Sequence, residues 1–228
     1  MHDLDRAGRL VGALTLAQIA GGVLVNLVLT APLSGEPGFL VNAAAHSAQI
    51  AASVLVALLL GLISLVVAVM MFAPLRQRAG ALAITLVAVS ASSLAVAAVE
   101  QTTVMSMLSL SQAYAQAAAA ERESIQGQRL LVASARNAAH YINLIVGGLM
   151  LLVFHLALYR SALVPRVLAA FGIAAALLQM AAVAMPLFGR EIVFLMLAPV
   201  GLVQLVLGLW LLARGFRQSP DAGSSRSV

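Results

Sequence analysis

The sequence predicts an all-α, polytopic membrane protein: a bundle of six transmembrane helices with a small external helical cap. Three observations carry this expectation. Hydrophobic residues make up 62% of the 228-residue chain and charged residues only 9%, with a mean hydropathy of +1.03. A soluble domain has about a quarter of its residues charged. Six apolar segments are each long enough for the roughly 20 helical residues that cross a bilayer core. The thirteen basic residues, all arginine, are distributed unevenly between the segments.

The spans are expected at about 10–30, 46–72, 79–110, 138–159, 166–187 and 192–213. The first follows Arg6 and Arg9, as a signal peptide would, but its apolar run from Leu10 to Thr30 exceeds the roughly 7–15 residues of an h-region, and no A-x-A site follows. It reads as an uncleaved span. PLSGEPG separates the first two spans, APLRQR the second and third, VPR the fourth and fifth, and FGRE the fifth and sixth. These stretches end helices through proline, glycine and charge. Unpaired backbone is not tolerated in lipid, so each span must be a helix. The domain is expected to occupy 1–217, with 218–228, QSPDAGSSRSV, as a disordered tail.

Between the third and fourth spans, SQAYAQAAAAERESIQGQRLLVASA (111–135) is alanine-rich and carries both charge signs. The third helix is expected to continue outward through it. A short amphipathic piece with a thin apolar face around Leu130, Leu131 and Val132 would return, standing off the bundle. Nine arginines (Arg6, Arg9, Arg76, Arg78, Arg160, Arg166, Arg214, Arg217 and Arg226) fall on one side, and four (Arg122, Arg129, Arg136 and Arg190) on the other. The richer side is cytoplasmic by the positive-inside rule, which places both termini there.

Several function classes are excluded or unsupported. A nucleic-acid footprint needs basic residues clustered on one face, and the arginines are dispersed among loops and tails. With no cysteine, disulfides, thiolate metal sites and cysteine nucleophiles are impossible. Neither G-x-S-x-G nor a glycine-rich phosphate loop is present.

The candidate site comes from polar residues within the spans. Glu100 lies 21 residues beyond Ala79, roughly 30 Å along the helix, towards the outer face. An ionisable residue at such a position suggests function and needs a partner. Asn26 from the first span, His46 at the start of the second, and Arg136, Asn137, His140 and Asn143 at the start of the fourth share its depth. Helical phase turns Asn137, His140, Leu144 and Gly147 to one face. His155, roughly 22 Å further along that helix and close to Tyr159 and Arg160, is expected at the inner interface. The proposed ligand set is Glu100, His140, Asn137, Asn143, His46, Asn26 and Arg136. The leading reading is a non-enzymatic protein that holds a small or lipidic ligand in the outer leaflet, without a cofactor. Two alternatives stand beside it: a haem- or divalent-metal-dependent enzyme using His46, His140 and Glu100, and a subunit whose polar stripes only join helices and hold a partner. The bilayer itself is the one certain partner class; oligomeric state is open.

LALYRSALVPRVLAAFGIAAALL followed by PVGLVQLVLGLWLLARGF, with Trp210, Leu211, Gly215 and Phe216 closing the last span, resembles the bacterial six-span membrane family catalogued as domain of unknown function 4386. The opening DRAGRLVGALTLAQIAGGVLVNLVLTAPL is similar to that family's first span, and Glu100 sits where its members tend to carry a glutamate. The resemblance covers most of the chain and implies a six-helix fold of bacterial origin and an inner-membrane location. It implies no activity and transfers no catalytic residue.

Overall fold

The computed structural model describes residues 2–217; the expected tail at 218–228 lies outside them. Every regular element among the described residues is helical. Helix α1 (His2–Val23) widens into a π-helical turn at Leu24–Leu29, and two short helices follow, α2 (Ala31–Ser34) and α3 (Phe39–Ala45). Next come α4 (Ser47–Gln116), α5 (Ala119–Ser161), α6 (Arg166–Ala184) and α7 (Ala198–Arg214), with 3₁₀ turns at Met185–Phe188 and Phe194–Leu197.

Five helical runs are long and apolar enough to cross a membrane: Leu4–Leu29, Ser47–Gln116, Ala119–Ser161, Arg166–Phe188 and Phe194–Arg214. At 70 residues, α4 would measure about 105 Å if straight, more than three times a hydrocarbon core of about 30 Å. It is not straight. Its backbone leaves the helical region at Ala79 (φ −153°, ψ 53°), directly after the polar stretch LRQR and before Gly80. The two arms run antiparallel. A Cβ on Gly61 would meet Leu94 Cδ1 at 2.8 Å, and Ile50 clusters with Val104 and Leu108. Small residues let membrane helices approach this closely.

The described residues form two compact units, one drawn from 2–19, 65–89 and 148–217 and the other from 20–64 and 90–147. In the first, α1 and α7 pack backbone against backbone. A Cβ on Gly12 would lie 2.6 Å from the Leu212 nitrogen, and one on Gly208 2.8 Å from Leu16 Cδ2. Only glycine permits that approach, so the pattern G-x-x-x-G at Gly8 and Gly12 acts as a helix-contact motif. The Arg78 guanidinium donates to the Ser161 carbonyl (3.0 Å), and the Arg217 amide to the Leu163 carbonyl (2.8 Å).

In this unit's α6–α7 region the outward positions are apolar, with Phe188 79% and Leu195 81% exposed. Together with Phe171, Phe194 and Leu202 they form a surface suited to lipid rather than water.

In the second unit, Ser111 ties α3 to α4. Its hydroxyl donates to the Leu40 carbonyl (2.9 Å) and accepts from the Ala44 amide (2.8 Å). Gln49 donates to the Val28 carbonyl (2.8 Å), joining α4 to the π-helical turn as a polar interhelical contact does in lipid.

The segment 111–135 differs from its expected form. No separate amphipathic piece exists: α4 continues to Gln116, two residues intervene, and α5 runs unbroken from Ala119 past Gly127 to Ser161. It also does not stand off. Ile125, Val132 and Ala133 pack on the Phe39, Leu40 and Met107 cluster, whereas Leu130 and Leu131 are 79% and 72% exposed. A helix returns to the same face after seven or eight residues. The positions 125, 132 and 133 therefore share a side that 130 and 131 cannot share.

Candidate functional site

Glu100 closes a long apolar stretch of α4, and on α5 His140 and Asn143 are three residues apart, hence on one helical face. Both belong to the second unit, and both reach the Glu100 carboxylate. His140 Nδ1 lies 2.7 Å from Oε1, and Asn143 Nδ2 donates to Oε2 at 2.6 Å. An ionised carboxylate only accepts, so Nδ1 carries the hydrogen in that pair. The lengths are those of charge-assisted bonds.

The glutamate side chain is 8% exposed and the histidine 26%. A carboxylate so enclosed in an apolar helix is costly unless a counter-charge and hydrogen bonds compensate it, and here both of its oxygens are engaged. The second ring nitrogen of His140, Nε2, has no protein partner among the described residues.

Arg136 sits one turn before His140. Its guanidinium attracts the Glu100 carboxylate from beyond contact range. One of its terminal nitrogens reaches Asn137 Oδ1 only at 3.5 Å, and its Nε is enclosed without any partner.

The remaining candidates are not drawn to this cluster. Asn137 is exposed. Asn26 is exposed too, and donates to the Gly22 carbonyl of its own helix (2.9 Å). His46 is exposed at the α3–α4 junction with Nδ1 at 2.9 Å from the Asn42 carbonyl. Among the described residues, no three His, Cys, Asp or Glu side chains gather as a metal site, so His46, His140 and Glu100 do not form one. Met107 fills the apolar cluster beside Phe39 and Leu40.

His155, placed at an interface by depth counting, is enclosed by protein and fully buried, at 0% exposure. Its ring sits in the notch left by Gly172 of α6, where a Cβ would collide with the ring, and its neighbour Phe154 presents an edge at 5.5 Å. Both ring nitrogens and the Gln204 side-chain oxygen are enclosed without a well-aligned hydrogen bond. Depth counting alone missed this. The signal that could have found it was Gly172 opposite an interior histidine.

No curated protein and no solved structure matches the chain. A family model, described as Domain of unknown function (DUF4386), matches residues 10–215. That covers nearly all of the apolar helices and the carboxylate site, and the chain belongs to this family of unknown function.

Proposed function

We propose that this is a multi-pass protein of the bacterial inner membrane. It would form a single six-span domain over 1–217 with both termini cytoplasmic, and hold a small or lipidic ligand through His140 at the outer-leaflet level of Glu100. The break at Ala79 supports six spans, because it divides α4 into two arms that pair antiparallel. Arginine asymmetry supports the orientation. A reporter fused after Arg78 should report the cytoplasm, and one inserted near Gly127 the opposite side; a cytoplasmic signal at Gly127 would refute the topology.

One observation carries the ligand reading. Glu100, its other oxygen held by Asn143, engages the His140 ring at Nδ1, leaving Nε2 unpaired on a side chain that is 26% exposed. A carboxylate that orients an imidazole and leaves its far nitrogen free is a general device for presenting that nitrogen to a substrate or ligand. No metal and no reaction is part of this reading.

The full engagement of both Glu100 oxygens favours a second reading, in which the cluster is only an interhelical clasp. Native mass spectrometry of protein purified in mild detergent separates them. A bound species seen with the unaltered protein and lost in His140→Phe, at a temperature where the variant is still folded, is expected. Identical spectra for the two would leave the clasp.

A further inference from the structure

Arg136 remains unexplained by the clasp. It is a half-buried cation whose Nε is enclosed without a partner and whose best side-chain contact is a 3.5 Å approach to Asn137. Among the described residues, the ion pair formed by Glu100 is with His140 and not with Arg136. Both oxygens of the carboxylate are already engaged by His140 and Asn143, and the guanidinium, though near enough to feel that charge, makes no direct ion pair with it. Arg136 and His140 are four residues apart on α5 and thus on one face. The Nδ1 nitrogen of His140 is turned to the carboxylate, so Nε2 is the atom it can offer elsewhere. His140, through Nε2, and the planar, multi-donor guanidinium of Arg136 therefore project from one face of α5.

We infer that Arg136 and His140 together receive a phosphate group. This rests on the reading of His140 as a ligand-holding residue and gives that ligand a chemical class. A guanidinium fork matches phosphate oxygens in pairs, and charge-assisted bonds of that kind are the strong ones. The level also fits. Counted from Ala79, Glu100 is roughly 30 Å along the helix, where the hydrocarbon core of about 30 Å gives way to the head-group layer. The phosphate is either the head group of an anionic lipid or free phosphate from the outer side, and the donors that recognise it are the same.

The test titrates full-length protein in neutral detergent with phosphatidylglycerol, phosphatidylcholine and, separately, inorganic phosphate, reading bound lipid by native mass spectrometry and phosphate by equilibrium dialysis. Saturable binding of phosphatidylglycerol or of inorganic phosphate is expected, and whichever binds more tightly identifies the source. Arg136→Gln should weaken it about tenfold or more, the loss of one charged hydrogen-bonding group. Arg136→Lys should fall between, and His140→Gln should weaken it several-fold. Arg129→Gln serves as the control, since Arg129 lies over Gly38 and outside the cluster; it should leave binding unchanged. Thermal melting of each variant excludes unfolding as the cause.

Binding of neither ligand beyond phosphatidylcholine overturns the inference, as does an equal loss in Arg129→Gln, which would mark diffuse charge attraction. A co-purified species lost in His140→Phe but retained in Arg136→Gln would overturn the phosphate assignment while leaving the ligand role of His140 standing.

Discussion

Replacing His140 with alanine is expected to destabilise the protein by about 3 kcal/mol, the scale of leaving a buried ion-pair partner uncompensated. The Glu100 carboxylate is 8% exposed and holds two short bonds, 2.7 Å to His140 and 2.6 Å to Asn143. Removing the imidazole strips the donor from Oε1 and leaves one amide to support a carboxylate at low dielectric. Glu100→Gln should cost less, because an amide keeps the shape and can both accept from Asn143 and donate to the histidine. In the double variant the missing imidazole no longer faces a charge, so the two losses should not add. A coupling above roughly 0.5 kcal/mol is expected for residues in contact, measured by denaturant unfolding in mixed micelles. Additivity would show that the pair is not formed in the membrane protein. Wherever a ligand readout exists, Glu100→Gln should impair it more than it impairs folding.

The second large effect is expected at Gly172. A methyl group there would occupy the space of the His155 ring, and His155 is completely buried, so the ring cannot swing out to solvent. Overpacking a fixed core contact costs about 2–3 kcal/mol, and a leucine should abolish folded protein altogether. The informative variant is the double substitution. His155→Ala removes the ring that the new methyl group would strike, together with two ring nitrogens that lack well-aligned hydrogen bonds. Gly172→Ala with His155→Ala should therefore melt higher than Gly172→Ala alone. If Gly172→Ala melts like the unaltered protein, His155 is not seated in that notch.

The sequence made several features legible for identifiable reasons. Helix boundaries at PLSGEPG, LRQR and VPR follow from residues that cannot continue an apolar helix, and the structure interrupts or reorganises the backbone at or beside each. Glu100 was conspicuous because a carboxylate amid apolar residues has few cheap explanations. Its partners His140 and Asn143 were legible as well, because a three-residue spacing fixes them to one helical face whatever that helix packs against. What periodicity cannot supply is the azimuth of a face relative to its neighbours. Asn26 and His46 share the expected depth of Glu100, yet each satisfies itself on a backbone carbonyl within hydrogen-bonding reach of its own segment. Equal depth is one coordinate of three.

The same limit separates Leu130 and Leu131 from Ile125, Val132 and Ala133. All are apolar, and only the placement of α3 beside α4 decides which side of α5 is covered. It also separates the expected His155 from the observed one. Its position along the helix suggested an interface, but the absence of a side chain at Gly172, seventeen positions later in the chain, created the room that buries it.

Composition, apolar run length and arginine placement thus determined by themselves that the chain is helical and suited to a membrane, because the bilayer imposes backbone pairing and length on any sequence that enters it. Which of its candidate partners Glu100 engages, the lack of a direct ion pair between it and Arg136 and the burial of His155 were decided only by tertiary structure, because each depends on which helix faces come within a few ångströms of one another.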